Sequence, residues 1–242
     1  TSCPPRRREF RSQALIEEGM QNFHGAFDGR EPHGGFRHLL EQVLGHLERQ
    51  TGDPKTASES LGPWGSHLQS VFPRLLGHDW LEGCPSPQGQ IPDELLRERV
   101  FDAVIRCLTQ NSEVEPRTLI LEDIDSLDDF DMELLRRLIY AAVDLPILVI
   151  TTAQPSTRQK GLPLQRLGQE LELENRFTLL SLDPVEKQEC HQLIHSLLVP
   201  EAVVDPALTD TLFERSHGVP LLMVQLFGGL WNRKALQLDN GI

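Results

Sequence analysis

An apolar run that ends in acidic residues is the part of this sequence best suited to chemistry. Residues 118–121 (TLIL) are followed directly by Glu122 and Asp123. Such a run predicts a buried β-strand, and ligands bind at the carboxyl ends of the strands in parallel sheets. A carboxylate held there can bind hydrated Mg²⁺, and a second can orient or deprotonate a water molecule that attacks a phosphate. We therefore take Glu122 and Asp123 as the candidate catalytic pair, with Asp123 chosen as the magnesium ligand, although either acid could face the ion.

The acids that follow this pair have a simpler interpretation. Asp128, Asp129 and Asp131 precede or open a helix predicted over 131–143. Carboxylates near a helix N-terminus cap its free N–H groups and interact favourably with the helix dipole. We expect capping or solvation for these outer acids. The same interpretation stays open for the inner pair, which could merely end the strand.

A second apolar run predicts a neighbouring strand. Residues 147–150 follow the predicted helix and end in Thr151 and Thr152. A strand, a helix and a strand at this spacing indicate a βαβ unit. Both runs are apolar at every position rather than alternating, which is typical of a parallel sheet covered by helices on both faces. The two threonines then lie at the same edge of the sheet as the acids, although β-branched residues also end strands without any function.

Helical periodicity and turn residues define the remaining elements and two domains. We place the boundary near 182, with an α/β domain over 1–182 and a helical subdomain over 183–242. The other predicted elements are helices at 6–19, 36–49, 64–76, 93–110, 184–198, 206–217 and 220–232, strands at 20–27 and 176–180, and loops at 28–35 and 77–92. In the helical subdomain, Gly218 and Pro220 suit the end of one helix and the first turn of the next.

Charge and cysteine usage exclude several classes of function. The formal net charge of −13 disfavours nucleic acid as a partner of this segment, because phosphate binding needs clustered Lys and Arg. No membrane span or secretory signal is apparent. The four cysteines form no C-x-x-C pair, so a cytoplasmic protein with buried Cys107 and Cys190 is expected. His191 and His195 share a helix face, but no third ligand at a recognisable spacing supports a metal site.

One expected motif does not occur in the 242 residues. A phosphate-binding loop reads G-x-x-x-x-G-K-[ST], and its backbone N–H groups cradle phosphates. Lys55 follows Gly52, Asp53 and Pro54, so proline stands where the loop needs glycine. The chain also begins with Thr1, and we expect it to be a fragment of a longer protein.

Three segments resemble the ATPase module of STAND-type and AAA+-related signalling proteins. The apolar run with two acids, a helix and a second strand is similar to the Walker B region of these modules. The other two segments resemble the helix before that strand and the later G-x-P segment of the family. The three are TLILEDIDSLDDFDMELLRRLIYAAVDLPILVITTAQP at 118–155, LLRERVFDAVIRCL at 95–108 and LFERSHGVPLLMVQLF at 212–227. The likeness, with Trp64 and Gly65 also fitting, extends in order over about 6–232.

The resemblance implies a P-loop NTPase-like α/β sheet, here without its first strand and P-loop, followed by a helical lid. It implies ATP and Mg²⁺ as cofactors of the intact protein, Glu122 and Asp123 as the Walker B pair, and Asp128 as a later family acid. Thr151 or Thr152 would stand at the sensor 1 position, and Pro220 would pack near the adenine. The family pattern differs at Ser126, Gln154 and Val219, where Trp, Arg and Asn are usual.

The function implied is a signalling switch that regulates an attached or partner effector domain. Self-association is left open, and hydrolysis by this chain alone is not expected. The alternatives are a degenerate, non-catalytic ATPase fold that serves as a scaffold for protein partners, and an origin-recognition-like ATPase that acts on DNA. The net charge of −13 counts against the second alternative.

Overall fold

The computed structural model describes residues 20–52, 55, 59, 61–75, 92–154, 162–174, 176–198, 204–233 and 235–236. The predicted helix over 6–19, nearly all of the predicted loop over 77–92, and Cys3 and Cys84 lie outside the described residues. The chain divides into two compact units, Thr1–Phe177 and Thr178–Ile242, whereas the sequence placed the boundary at 182. No helix in the described ranges has the length and apolar character needed to cross a bilayer.

A parallel three-stranded sheet organises the first unit. Its strands are β1 (Gln21–Ala26), β2 (Arg117–Glu122) and β3 (Ile147–Thr151), and β2 lies between the other two. Ala26 is opposite Glu122, and Leu121 is opposite Thr151. All three carboxyl ends therefore meet at one edge of the sheet. The strands predicted over 20–27, 118–121 and 147–150 are confirmed, and the structure is a mixed α/β fold.

The central strand β2 is buried over its first five residues, whereas β3 is half-buried with Leu148 exposed. The difference follows from position, because β2 has a paired strand on both sides. The prediction of burial on both faces is therefore right for β2 and too strong for β3. A buried parallel strand reads as a continuous apolar run, which is why β2 could be found from sequence.

Helices of the first unit cover the sheet. The long helices are α1 (Gly34–Thr51), α3 (Asp93–Thr109), α4 (Asp129–Ala142) and α5 (Leu162–Leu173), and the short segments are a 3₁₀ helix (Gly62–His67), α2 (Leu68–Val71) and two 3₁₀ turns (Pro73–Leu75 and Ile124–Ser126). Apolar residues at helical spacing on α1, such as Phe36, Leu40 and Leu44, are fully buried. These helices and β2 share one hydrophobic core.

Two glycines bring α1 against β1. A Cβ on Gly25 would lie 2.3 Å from the carbonyl oxygen of Gly35, and a Cβ on Gly35 would lie 2.5 Å from the ring of Phe27. Neither position has room for a side chain. The close approach fixes the loop between β1 and α1 beside the carboxyl edge of the sheet.

The secondary structure described in the second unit is helical. It contains α6 (Lys187–Ser196), α7 (Pro206–Ser216) and α8 (Pro220–Asn232), in agreement with the three helices predicted there. Ile194, Leu212 and Phe227 form the centre of its small core. Cys190 is buried in this unit and Cys107 in the first, as the sequence predicted for both.

One prediction between 155 and 186 is wrong, and one helix in this range was not predicted. The strand predicted over 176–180 is wrong: these residues form no strand, and Leu179 and Leu180 are 77% and 80% exposed. The apolar run was present, but a strand also needs a partner, and the described residues offer it none. Helix α5 was not predicted, because Pro163 and Gly168 interrupt the sequence pattern and, of the residues whose burial is described, Leu167 and Leu171 are the buried ones.

Candidate functional site

The chain leaves β2 through Asp123, a residue in the left-handed backbone conformation. Glu122 is the last residue of β2 and is half-buried, and Asp123 follows it with a φ of 60°. Aspartate adopts this conformation more readily than most residues, since its short side chain can bond locally. The chain then forms the 3₁₀ turn Ile124–Ser126. The exposed Asp123 and the half-buried Glu122 thus stay together at the carboxyl edge of the sheet.

Side-chain hydrogen bonds attach this acidic turn to both neighbouring strands. The Thr152 hydroxyl oxygen accepts a hydrogen bond from the Asp123 N–H at 3.2 Å. Asp125 Oδ1 accepts from the Gln154 N–H at 3.1 Å, and the Ser126 hydroxyl donates to the Phe27 carbonyl. Asp125 and Ser126 therefore hold the turn in place beside Glu122 and Asp123 at the carboxyl edge of the sheet.

The hydroxyl that bonds to the acidic turn belongs to Thr152 and not to Thr151. Thr151 is the last residue of β3 and lies opposite Leu121 in the ladder. Besides its hydroxyl bond to Asp123, Thr152 accepts through its carbonyl from the Ile124 N–H at 2.9 Å and donates its own N–H to Leu121. Of the two threonines, Thr152 is the one that positions the acidic turn.

Pro220 lies in the second unit and opens α8. The preceding Gly218 has a φ of 73°, and a Cβ there would lie 2.5 Å from the Val185 carbonyl oxygen. The Gly218 carbonyl accepts from the Val185 N–H at 2.8 Å. The interpretation of this segment as a helix boundary is confirmed: glycine allows the turn, and proline suits the first turn of a helix.

A second cluster of ionisable side chains joins the loop after β1 to the start of α4. His33 Nδ1 lies 2.8 Å from Asp131 Oδ1 and 3.9 Å from Asp128 Oδ2. Asp128 is the N-cap of α4, where its Oδ1 accepts from the Asp131 N–H at 2.8 Å. The capping role predicted for Asp128 is confirmed. Capping or solvation was expected for Asp131: it lies in the first turn of α4, but it is not solvated, since only 3% of this residue is exposed.

Burial and charge shift both members of the His33–Asp131 pair. Burial raises the pKa of Asp131, and the nearby His33 only partly offsets that shift. Burial lowers the pKa of His33, but the hydrogen bond to Asp131 and the negative charges of Asp131 and Asp128 outweigh it and leave the pKa raised. The rings of Phe130 and Phe72 lie 4.6 Å and 6.1 Å from the His33 ring. The two phenylalanine rings therefore cover one side of the His33 ring with apolar surface.

Sequence reasoning missed this cluster for an identifiable reason. His33 and Asp131 are 98 residues apart. Asp131 lies in an acid-rich first turn, where solvation is the usual outcome, and His33 lies in a loop rich in turn residues. Only the pairing of β1 with β2 brings the two segments together. The single local signal for this cluster was the position of His33 directly before α1.

Among the described residues, His191 and His195 do not belong to a group of three side chains that could hold one ion. His191 contacts the Thr209 hydroxyl at 3.0 Å and lies 3.9 Å from Asp210. In the ranges that the structure describes, the group of at least three histidine or acidic side chains that could surround one ion is His33, Asp128 and Asp131.

Comparison with known proteins gives little further information. No protein-family model matches this chain, and no solved structure matches it significantly. The chain is similar to a protein of Rhizobium meliloti (strain 1021) described as "Uncharacterized protein R02095", with 25% identity over 208 residues. The similarity covers 80% of this chain but 19% of the relative. The chain thus spans about a fifth of the length of the curated relative it matches.

Proposed function

We propose that this chain is part of an ATP-binding signalling switch of the P-loop NTPase class. The observation that carries the proposal is the acidic end of β2. Two carboxylates leave the central strand of a parallel sheet, and the Asp123 N–H is bound to the hydroxyl of Thr152 at the end of the next strand. Ligands of open α/β sheets bind in this position, outside the carboxyl ends of the strands.

The exposure of the two acids suits a magnesium ion carried by a nucleotide. Mg²⁺ keeps several of its waters and uses one or two carboxylates together with the phosphates of its substrate. The exposed Asp123 would hold the hydrated ion, and the half-buried Glu122 would orient the attacking water. Thr152 would sense the γ-phosphate or that water, with Thr151 as the alternative sensor.

The edge of β3 that has no partner among the described strands supports the proposal that a further strand belongs to this sheet. β3 pairs with β2 along one edge, and no strand among the described residues pairs with its other edge. Leu148 on this strand is 44% exposed, although parallel strands usually lie inside a sheet. A further strand on this edge would bring its own carboxyl end beside Thr152. A phosphate-binding loop following such a strand would complete a nucleotide site.

The helical second unit would act as the lid, with Pro220 near the adenine. Nucleotide exchange or slow hydrolysis would shift the population of lid positions and thereby switch a protein effector. The effector is either attached or a separate partner, and self-association is an additional route. The net charge of −13 makes nucleic acid a poor partner for this surface.

A degenerate scaffold for protein partners is the second candidate function. It is favoured by the lack of a G-x-x-x-x-G-K-[ST] motif in the 242 residues. Phosphates need backbone N–H groups and a lysine, and neither an acidic turn nor a threonine replaces them. On this alternative the same fold would bind a protein without binding ATP.

Nucleotide-dependent stability separates the two functions. The longest natural polypeptide that contains these residues would be titrated with Mg·ATP while its unfolding temperature is followed, because a ligand that binds only the folded state raises it. Asp123→Asn and Glu122→Gln should weaken the magnesium-dependent shift, and asparagine keeps the left-handed conformation accessible. Asp144→Asn is the matched control, because Asp144 is exposed in the turn at the amino end of β3.

The wild type and the Asp144 control should respond alike to Mg·ATP. If the unfolding temperature of the wild-type polypeptide does not change with Mg·ATP, the result would contradict the proposed switch function and favour the scaffold function. Equal magnesium-dependent responses of the wild type and the two acid variants would remove the assignment of Glu122 and Asp123.

A further inference from the structure

We propose that His33, Asp128 and Asp131 form a binding site for a divalent transition metal of the zinc type. This site is separate from the magnesium position at Asp123 and does not depend on the proposed function. It combines one imidazole nitrogen with two carboxylate oxygens, drawn from two segments that the fold brings together. The three ligand atoms lie within 4.8 Å of one another.

The spacing of the donor atoms fits a tetrahedral ion. Zinc binds nitrogen and oxygen at about 2.0–2.2 Å, so two ligands of a tetrahedral site lie about 3.3–3.6 Å apart. His33 Nδ1 lies 2.8 Å from Asp131 Oδ1 and 3.9 Å from Asp128 Oδ2, values on either side of that range. Side-chain shifts of about half an ångström would bring these two distances into the tetrahedral range, and the two carboxylate oxygens lie within 4.8 Å of each other.

Asp128 can cap its helix and bind a metal at the same time. Its Oδ1 accepts from the Asp131 N–H, and its Oδ2 is the oxygen nearer to His33. The Asp128 side chain is 58% exposed, whereas that of Asp131 is 5% exposed. The cluster therefore opens to solvent on the Asp128 side, where an ion could enter and a water could become the fourth ligand.

The buried carboxylate of Asp131 needs a positive partner. A buried charge is costly unless it is paired, and protonated His33 or a metal ion can supply the pairing. A metal would replace the proton on His33 Nδ1 and would serve both carboxylates at once. The donor set favours zinc over Mg²⁺, because imidazole suits transition metals and Mg²⁺ prefers oxygen.

Among the residues that the structure describes, no Lys or Arg forms an ion pair with Asp128 or Asp131. Arg97 is the nearby basic group on α3; its guanidinium lies 5.4 Å from the centroid of the Phe130 ring and donates to the Asp129 carbonyl at 3.2 Å. It interacts with that ring and that carbonyl, and no described ion pair joins it to Asp128 or Asp131. The rings of Phe130 and Phe72 pack near His33 and form the apolar side of the site. A metal here would tie the loop after β1 to the start of α4.

Cobalt is the probe for this site, because tetrahedral Co²⁺ absorbs visible light and Zn²⁺ displaces it. The chain without an affinity tag would be stripped with a chelator and titrated with Co²⁺. We expect one ion per chain, a tetrahedral absorption band and its loss when Zn²⁺ is added. Asp128→Asn should lower the affinity at least about tenfold, the smallest loss typical of metal-site changes. Its fold should persist, because asparagine caps helices as well as aspartate.

Two further variants make the result specific. His33→Asn should abolish the band while still accepting the left-handed φ of 56° at this position. His195→Asn is the matched control, because His195 lies on α6, outside the cluster of His33, Asp128 and Asp131, and its loss should leave the titration unchanged. The proposal is overturned if no stoichiometric band forms, if Asp128→Asn binds as the wild type does, or if His195→Asn alone removes the band. In each of these cases His33 and Asp131 form an ion pair only.

Discussion

The hydroxyl oxygen of Thr152 accepts a hydrogen bond from the backbone N–H of Asp123 at 3.2 Å. This bond joins the residue after β3 to the left-handed residue after β2. It holds one of the two candidate acids at a fixed position relative to the neighbouring strand, and it is made by Thr152 rather than by Thr151.

Thr152→Val removes this bond while keeping the shape of the side chain. We expect the free energy of unfolding to fall by about 0.5–1.5 kcal/mol, the usual net value of one hydrogen bond. Urea unfolding followed by circular dichroism measures it. Thr151→Val is the control, because the same substitution one residue earlier leaves the acidic turn bound. Equal losses in the two variants would contradict the positioning role of Thr152.

Gly25→Ala tests the close approach of β1 and α1. The new Cβ would lie 2.3 Å from the Gly35 carbonyl oxygen, so the strand and the helix would have to separate. Overpacking of this kind costs about 1–3 kcal/mol or more. Thermal unfolding of the variant measures the loss.

Gly168→Ala is the matched control for that change. Its Cβ would meet the Phe177 ring at 3.8 Å, an ordinary contact, and alanine favours a helix over glycine by up to about 1 kcal/mol. The control should therefore be neutral or stabilising. A Gly25→Ala variant as stable as the control would mean that α1 does not pack on β1 at this distance.

Cys107 should resist alkylation in the folded protein. Burial raises the pKa of its thiol to about 12 from an ordinary value of 9.0. A rise of this size lowers the thiolate fraction at pH 8 by about a thousandfold, and the thiolate is the reactive form. Iodoacetamide labelling with peptide mapping should find Cys107 modified in urea and unmodified in buffer. Rapid labelling of the native chain would contradict its burial.

The same shift predicts how stability depends on alkaline pH. Between pH 9 and about 12 the unfolded chain loses the Cys107 proton and the folded chain keeps it. The folded state then binds more protons, so the free energy of unfolding falls as pH rises through this range. Cys107→Ala should show a shallower decrease in urea unfolding series above pH 9. A decrease as steep as that of the wild type would rule out this contribution.

Arg117→Met tests a buried cation at the start of β2. Arg117 is 2% exposed and donates to the carbonyl oxygens of Leu108 at 3.2 Å and Gln110 at 2.8 Å. Methionine fills similar space but leaves both carbonyls unsatisfied, at a cost of about 1–3 kcal/mol. Arg136→Met is the control, since the exposed Arg136–Glu170 pair at 3.3 Å contributes at most about 1 kcal/mol. Equal unfolding midpoints would show that the buried bonds contribute nothing.

Local patterns determined most of the elements of this protein. The apolar run of β2, the helical spacing on α1 and α3, and the capping position of Asp128 depend on neighbours in the chain, so they could be predicted from sequence. The strand prediction over 176–180 was wrong because a strand depends on residues that are distant in the chain. An apolar run becomes a strand only when another strand satisfies its N–H and carbonyl groups, and that partner is not a local property.

The tertiary structure alone decided which polar side chains meet. Glu122 and Asp123 could be chosen from sequence because the strand itself carries them to the edge of the sheet. The left-handed turn at Asp123, the choice of Thr152 over Thr151, and the burial of Asp131 against His33 could not be chosen in this way. Each depends on the pairing of strands that are far apart in the chain, because that pairing fixes which loops become neighbours.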